Sequence, residues 1–203
     1  MRSKAGTVCM VLGTMLVLAA LSLFLLNQRE NNAAGLSAQK ILPQVIEQIE
    51  TQSIANAPED GKGYPDPYDP AMTEVEIDGY AYVGYLSIPA LELELPVMNE
   101  WDYARLKISP CRYAGSTKTG DLVICAHNYE RHFGPIRNLA PGDRVYFTDM
   151  DGMIWQYEVA AVDILPPTDV EEMTAGDYDL TLFTCTYGGQ SRVTVRCVHV
   201  KGK

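Results

Sequence analysis

Residues 179–197, DLTLFTCTYGGQSRVTVRC, decide which fold and which chemistry we expect of this chain. An apolar run ends at Cys185, a Gly-containing loop follows at 187–191, and Arg192 opens a second, β-branched run. A Gly-rich loop of this length predicts an antiparallel hairpin with Cys185 and Arg192 close together at its mouth. A cation beside a thiol lowers the thiol pKa and stabilises an oxyanion. An ordinary hairpin with a buried Cys and a surface Arg explains the same pattern.

A second apolar run, upstream of the hairpin, ends at a histidine. Residues 121–128 read DLVICAHN, which predicts a short strand that delivers His127 at its polar end. His127 precedes Cys185 by 58 residues (185 − 127), whereas papain-like proteases place the cysteine first. A Cys, a His and an Arg, each at the end of a β-run, indicate a catalytic constellation. Alone, His127 could be a strand-end histidine with its hydrogen bonds satisfied.

With these residues the chain resembles the sortases, a family of bacterial cysteine transpeptidases. The TLFTC run matches the family's TLxTC signature, and the resemblance extends over about residues 83–200. The elements that carry it are TLFTC at 181–185, Arg192, His127, LSIP at 86–89, the alternating run 91–97 and FTD at 147–149.

Residues 74–203 are predicted to form the catalytic domain, because short alternating and apolar runs recur there between turns. Residues 99–119 and the connection 165–179 are expected to be turns and loop, and 134–139 a short helical turn. This pattern predicts an all-β barrel or sandwich. The resemblance implies a closed sortase-type β-barrel of about eight strands. The predicted strands are 80–88, 91–97, 122–126, 144–148, 154–164, 180–184 and a last run from residue 192.

Residues 1–26 predict a cytoplasmic tip and one transmembrane helix. Arg2 and Lys4 precede a charge-free run at 7–26, and about twenty apolar residues suffice to span a bilayer. Basic residues before the span favour a cytoplasmic N-terminus and an extracellular catalytic domain. A cleaved secretory signal is the alternative. No small-x-small site closely follows Leu26, which favours an uncleaved anchor.

Residues 27–73 are predicted to form a stalk or linker between the anchor and the catalytic domain. Apolar positions between Ile41 and Ile49 recur with helical spacing, which predicts a short amphipathic helix that either stands as a stalk or packs on the domain. Residues 57–70 are rich in Pro, Asp and Gly, as in an extended linker.

Within this linker, Asp66-Pro67-Tyr68 is similar to the Asp-Pro-aromatic lid of the pilus-building class C sortases. Asp66 and Tyr68 are therefore candidate lid residues, and a Pro-rich spacer is the alternative reading. An anchor at the N-terminus, with no second apolar segment before residue 203, fits classes A, B, D or E better than class C.

Composition limits the partners and cofactors. The formal net charge of −10 argues against nucleic acid and against anionic lipid headgroups as partners of the folded part. The chain has five cysteines, none at metal-ligand spacing, and only three histidines, so we expect neither a metal site nor a cofactor. The acidic residues Glu171, Glu172, Asp177 and Asp179 could attract calcium, but such residues more often form a solvated loop.

The resemblance implies a division of labour among the three site residues. Cys185 would attack a peptide carbonyl and form a thioester, and His127 would exchange protons with the leaving and the incoming amine. Arg192 would hydrogen-bond the oxyanion. Arg196 competes for that role, because strand alternation places it on the same face as Arg192. The implied substrates are surface proteins with an LPxTG-like sorting signal, and the implied acceptor is an amine of a peptidoglycan precursor or a pilin.

Further residues are candidates for substrate binding. Thr184 and Asn128 flank the nucleophile and the histidine, Tyr187 lies in the hairpin loop, and Pro166 begins the loop that grips the sorting signal in the family. Cys125 shares the face of His127, either as core packing or as a redox partner of Cys185. The other buried thiols, Cys111 and Cys197, could form a disulfide in an exported domain.

Two other functions use the same sequence features. An exported cysteine peptidase would transfer the acyl group to water instead of an amine. A non-enzymatic β-domain would display or bind a partner at the cell surface, and its function would survive Cys185→Ala.

Overall fold

The computed structural model describes residues 4–55, 71–175 and 177–200. Two α-helices, α1 and α2, and nine strands make up these residues, together with short 3-10 turns at Pro89–Leu91, Arg105–Lys107 and Gly134–Asn138. The elements are α1 (Lys4–Ala55), β1 (Val75–Ile77), β2 (Tyr80–Ile88), β3 (Leu93–Met98), β4 (Cys111–Ala114), β5 (Leu122–Cys125), β6 (Arg144–Asp149), β7 (Ile154–Leu165), α2 (Val170–Thr174), β8 (Leu180–Cys185) and β9 (Arg192–His199).

Eight of the strands form a closed barrel. Their order is β2-β3-β4-β5-β8-β9-β7-β6, and β6 pairs with β2 to close the ring. Strand β1 pairs with the start of β2 and lies outside the ring. The pairs β3–β4 and β5–β8 are parallel, and the other pairs are antiparallel. The prediction of a closed eight-stranded barrel preceded by an apolar helix is confirmed.

The barrel closes at a glycine of β2. Gly84 has a φ of 146° and pairs with Asp149 of β6. A Cβ atom at this position would lie 2.1 Å from the carbonyl oxygen of Thr148. Only glycine allows the two strands to approach so closely, so residue 84 permits the ring to close.

Inward-facing apolar side chains fill the barrel. Strand β2 delivers Leu86 and Ile88 to the core and β8 delivers Leu180 and Leu182, with the period of two expected of strands that form a barrel wall. Fully buried members from the other strands include Val97, Ile124, Phe147, Val159 and Val195.

Two segments differ from the sequence prediction. The region 99–119, expected to be turns, contains strand β4, and the connection 165–179 contains the five-residue helix α2. Strand β4 is only four residues long and has a single parallel pair with β3, so it gives no alternating signal in the sequence. Helix α2 is anchored by one buried side chain, Met173.

Helix α1 runs without interruption from the apolar N-terminal region onto the barrel. Its first half is long and apolar enough to cross a bilayer. The most apolar stretch there has a mean hydropathy of 2.6 and is wholly unburied. Its second half buries one face against the barrel strands, and the period of three to four positions explains why this face is apolar. The buried positions of α1 include Asn31, Ala34, Ala38, Ile41, Val45 and Ile49.

Candidate active site

The hairpin β8–β9 places Cys185 and Arg192 opposite each other as a cross-strand pair. The turn between them is closed by a hydrogen bond from the Thr186 amide to the Ser191 carbonyl (2.9 Å). The Arg192 guanidinium donates through Nη1 to the carbonyls of Gly189 and Ser191, both at 3.2 Å. These bonds orient the cation over the loop beside the thiol, as the Gly-rich spacing predicts.

Strand β5 delivers His127 to the same end of the barrel. It runs parallel to β8, with Cys125 opposite Phe183, so the residues that follow both strands meet at one rim. The Thr184 hydroxyl donates to the Ala126 carbonyl at 2.8 Å and is itself buried. This hydrogen bond ties the residue before the thiol to the residue before the imidazole.

The His127 imidazole is half-buried and stacks near Tyr129, with 5.0 Å between ring centroids. Burial lowers the pKa of His127, the positive charge of Lys107 lowers it further, and Glu30 raises it. Within the described part of the chain, its Nε2 atom has no hydrogen-bond partner. A buried ring nitrogen without a partner is available for a proton or for a substrate group.

Side chains of α1 hold the segment that follows His127. The Tyr129 hydroxyl donates to the Glu30 carboxylate at 3.4 Å, and the Glu130 amide donates to Asn31 Oδ1 at 2.9 Å. Asn31 is only 7% exposed, so its amide oxygen lies inside the contact and not at its margin.

The same contact continues one turn further along α1. His132 is fully buried beside the backbone of Ala34, and burial lowers the pKa of His132 to about 4. A Cβ atom at Gly35 would lie 2.1 Å from Cδ of Arg131. The histidine segment and α1 therefore pack at close range over two helical turns.

One pocket, of about 210 Å³, brings together Cys185, His127 and Arg192. We call it the His127 pocket. Trp101 stacks 5.3 Å from Tyr113, which meets Phe183 edge-on at 5.1 Å, and these rings form one wall. The connection between β7 and β8 forms another wall, from Pro167, Val170 and Met173.

A second pocket, of about 360 Å³, also borders Cys185. We call it the Arg137 pocket. Thr184 and Cys185 line both pockets, and Asn128 lines the second one directly after His127 lines the first. The reacting atoms thus lie at the junction of two cavities.

The structure assigns different positions to the remaining predicted site residues. Asn128 and Tyr187 line the Arg137 pocket, and Thr184 lines both pockets while its hydroxyl bonds to Ala126. Pro166 is exposed and lines neither pocket; its neighbour Pro167 does so instead. The predicted lid residues Asp66 and Tyr68 lie outside the described residues.

Arg196 is the second arginine of β9 and lies deep in the structure. It is 1% exposed, pairs with Thr181 across the hairpin, and lines neither of the two pockets. Its guanidinium donates to the Glu172 carbonyl at 2.7 Å and to the Met173 carbonyl at 3.3 Å. Arg196 therefore anchors α2, and Arg192 is the arginine beside the thiol.

All five cysteines have free thiols. Cys111 and Cys125 face each other across β4 and β5 and are buried, as is Cys197. Burial raises the pKa of Cys111 and of Cys197 to about 12, and it raises the pKa of Cys125 as well. These three thiols have the character of core side chains, although Cys125 also reaches the wall of the His127 pocket.

The acidic residues that could attract calcium lie in α2 and just after it. Within the described ranges, no group of three or more His, Cys, Asp or Glu side chains could hold an ion. The Asp179 carboxylate accepts the backbone N–H of His199 at 2.7 Å. This hydrogen bond joins the start of β8 to the end of β9.

Sequence reasoning missed the aromatic wall and one arginine. Trp101, Tyr103 and Tyr113 lie in the segment read as turns, where a cluster of three aromatic residues was the available signal. Arg137 lies in the short 3-10 turn Gly134–Asn138, 5.1 Å from the Tyr187 ring centroid. Its only sequence signal was a lone basic residue near a predicted helical turn.

Comparisons with known proteins agree with this geometry. The family model described as Sortase domain matches residues 86–200. Sortase A of Listeria monocytogenes is 28% identical over 132 residues, 57% of this chain and 57% of that protein. Sortase A of Bacillus anthracis is 27% identical over 125 residues, 57% of this chain and 59% of that protein. The chain thus spans less than two thirds of the length of these relatives.

The fold has solved counterparts. Sortase C of Streptococcus pneumoniae superposes with a TM-score of 0.59 at 21% identity, covering 80% of this chain and 97% of that one. At this level of identity the likeness concerns the fold.

Proposed function

Because this chain belongs to the sortase family, we propose that it is a membrane-anchored transpeptidase that cleaves an LPxTG-like sorting signal and transfers the cleaved protein to an amine. The proposed acceptor is a peptidoglycan precursor or a pilin lysine. The observation that carries the proposal is the meeting of Cys185, its cross-strand partner Arg192 and His127 in one pocket. The uninterrupted apolar half of α1 supports anchoring by a single span. Arg2 and Lys4 before the apolar run at 7–26 favour a barrel on the extracellular side.

In the proposed acylation step, the Cys185 sulfur attacks the carbonyl carbon of the scissile peptide bond. Arg192 donates to the developing oxyanion, a contact worth roughly a hundredfold in rate in comparable sites. His127 protonates the departing amine, and its lowered pKa makes the imidazolium a stronger acid for this transfer. The products are a thioester on Cys185 and a free amine.

In the proposed second step, an incoming amine attacks the thioester carbonyl. The C–S bond breaks as the Cys185 thiolate departs, the amide C–N bond forms, and His127 takes up the proton lost by the amine, which restores the imidazolium. The apolar and aromatic walls of the His127 pocket support its proposed role in holding an extended, largely apolar sorting signal.

The decisive experiment uses the full chain in detergent micelles. The protein is incubated with a panel of LPxTG-type peptides, with and without triglycine, and Cys185 is examined by mass spectrometry. We expect a peptide-sized thioester on Cys185 that disappears on addition of triglycine as a ligated peptide forms. Cys185→Ala should show neither species while keeping the circular dichroism of the folded barrel.

The other outcomes separate the competing functions. A thioester that resolves only to the free acid, with every amine tested, would favour a peptidase. A folded protein with a reactive Cys185 thiol and no adduct from any peptide would overturn catalysis at this site and favour a non-enzymatic surface domain.

A further inference from the structure

The Arg137 pocket contains a cation that the described structure leaves without an anion. Arg137 is solvent-exposed, and its guanidinium makes no hydrogen bond or ion pair with any described residue. The guanidinium carbon lies over the Tyr187 ring, 5.1 Å from its centroid. The two arginines of β9 behave differently: Arg192 bonds to its own loop, and Arg196 is buried against backbone carbonyls.

The stack on Tyr187 restricts how Arg137 can bind. A guanidinium that lies against an aromatic face keeps its N–H edge free, and that edge matches the two oxygens of a carboxylate. The described residues that line this pocket include no Asp or Glu, so no carboxylate of the protein competes for the edge from within the pocket. The rim is therefore suited to a small anion.

The position of this cation relative to the thiol indicates which substrate it meets. The walls of the His127 pocket are aromatic and apolar, as a peptide donor requires, whereas the Arg137 pocket shares Thr184 and Cys185 with it but not the aromatic wall. The leaving amine and the incoming amine occupy the same side of the acyl carbon, because the second half-reaction reverses the first. The volume of about 360 Å³ falls in the range of small-ligand sites.

We propose that the Arg137 pocket is the acceptor site, and that Arg137 binds a carboxylate carried by the amine acceptor close to its nucleophilic nitrogen. Of the two proposed acceptors, this favours a peptidoglycan precursor whose amine belongs to an amino acid or short peptide with a free carboxylate, over a pilin lysine or a simple alkylamine. This inference rests on the proposed transpeptidase function. It adds that Arg137 is an acceptor-binding residue and that Tyr187 positions its guanidinium.

The test measures kcat/KM for the acceptor, at saturating LPxTG-type peptide, with the full chain in micelles. The acceptors are glycine, diglycine and triglycine, each compared with its C-terminal amide. The amide also lowers the pKa of the neighbouring amine, which favours the amide, so a carboxylate preference cannot arise from amine ionisation. Phosphoethanolamine compared with ethanolamine shows whether the site takes a phosphate instead.

For the wild-type protein we expect the free carboxylate to be preferred over the amide by roughly tenfold for at least one peptide length, the size of a hydrogen-bonded contact to a charged group. Arg137→Gln should reduce that ratio to about one, and Arg137→Lys should keep part of it, because lysine retains the charge but not the two-pronged edge. Tyr187→Phe, which retains the ring, should keep more of the preference than Tyr187→Ala.

Arg144→Gln is the matched control. Arg144 lies on β6 in an exposed ion pair with Glu158 (3.3 Å), so this variant loses the same charge away from both pockets and should keep the wild-type ratio. Equal use of acids and amides by the wild type, or a preference that survives Arg137→Gln, would overturn the inference. A preference for phosphoethanolamine alone would overturn the carboxylate assignment.

These failures are distinguishable from failure of the proposed function. The Cys185 thioester is recorded in the same samples before acceptor is added. Absence of the thioester would refute the transpeptidase, whereas a thioester that resolves onto acids and amides equally would refute only the role of Arg137.

Discussion

Cys185 and Arg192 hold each other in place across one hairpin, whereas His127 depends on a helix that lies 99 positions earlier in the chain. On the hairpin side, Cys185 and Arg192 lie only seven positions apart (192 − 185), and the backbone ladder fixes their geometry. On the histidine side, the segment after β5 has no ladder partner and is fixed by Glu30 and Asn31 of α1. The catalytic constellation therefore joins a local motif to a long-range contact, and the two sides should respond differently to substitution.

The largest effect is expected on the hairpin side. Arg192→Ala should lower kcat/KM for thioester formation by roughly a hundredfold, because a charged donor to the oxyanion is lost. Arg192→Lys should restore little, since a lysine cannot bond to the Gly189 and Ser191 carbonyls while also facing the substrate. Stopped-flow or quenched-flow measurement of thioester formation tests this.

Arg144→Ala, in the exposed pair with Glu158, controls for the loss of one positive charge. If Arg192→Ala acylates at the wild-type rate, the hairpin provides only the nucleophile, and Arg192 does not stabilise the oxyanion.

The next effect tests the histidine side. Asn31→Ala removes the acceptor of the Glu130 amide and leaves a partly buried N–H without a partner, at a cost of about 1–3 kcal/mol. We expect a lower free energy of unfolding and a drop in kcat of about tenfold as the His127 segment loosens. Urea unfolding and steady-state kinetics measure the two quantities.

Asn32→Ala is a matched control, because Asn32 is the exposed neighbour on the same helix. Wild-type kcat in Asn31→Ala, together with a measurable loss of stability, would mean that α1 supports the fold and not the imidazole.

A smaller effect is expected where the two sides meet. Thr184→Val keeps the shape of the side chain and removes the hydrogen bond to the Ala126 carbonyl, which should cost about 1 kcal/mol of stability. The variant should also acylate more slowly, because this bond sets the distance between the two strand ends. Thr51→Val, whose hydroxyl bonds only within α1, is the control in the same unfolding and acylation assays.

The smallest effect concerns the pKa of His127 and has opposite signs in two variants. Glu30 raises this pKa and Lys107 lowers it, so Glu30→Gln should lower the pKa further and Lys107→Met should raise it. Both side chains are more than half exposed, so solvent and salt screen their charges and we expect small shifts of the His127 pKa.

The measurement is an NMR titration of the His127 ring protons. The pH above which the imidazolium is lost should fall in Glu30→Gln and rise in Lys107→Met. Shifts of the same sign in both variants would show that the α1 contact acts on His127 through packing and not through charge.

The same contrast explains what the sequence could predict. Most barrel strands are recognisable in the sequence as alternating or continuous apolar runs. The TLFTC run and the Gly-rich loop after it predicted the hairpin with Cys185 and Arg192, because these residues are close in sequence. Strand pairing then brings His127 to the same rim, because β5 and β8 are parallel neighbours.

The remainder of the site depends on contacts that leave no periodic signal. The bond between Asn31 and Glu130 joins two ordinary polar residues that nothing in the sequence connects. Arg137 and Tyr187 meet through the contact between the 3-10 turn Gly134–Asn138 and the β8–β9 loop, and β4 is too short to alternate. The apolar spacing of Ile41 to Ile49 predicted a helix, but not that this helix would be continuous with the apolar run at 7–26.

The continuity of α1 fixes the distance between its apolar run and the proposed active site. Glu30, which contacts Tyr129, follows Leu26 by four residues (30 − 26), a rise of about 6 Å along a helix. With the apolar run in the bilayer as proposed, the continuous helix α1 holds the His127 imidazole close above the outer leaflet. In this arrangement no flexible segment lies between the apolar run and the contact of Glu30 with Tyr129, so the proposed active site stays near the bilayer. Under the proposed function, both the sorting signal and the acceptor amine must therefore approach the lipid surface, because the active site lies at a fixed distance from it.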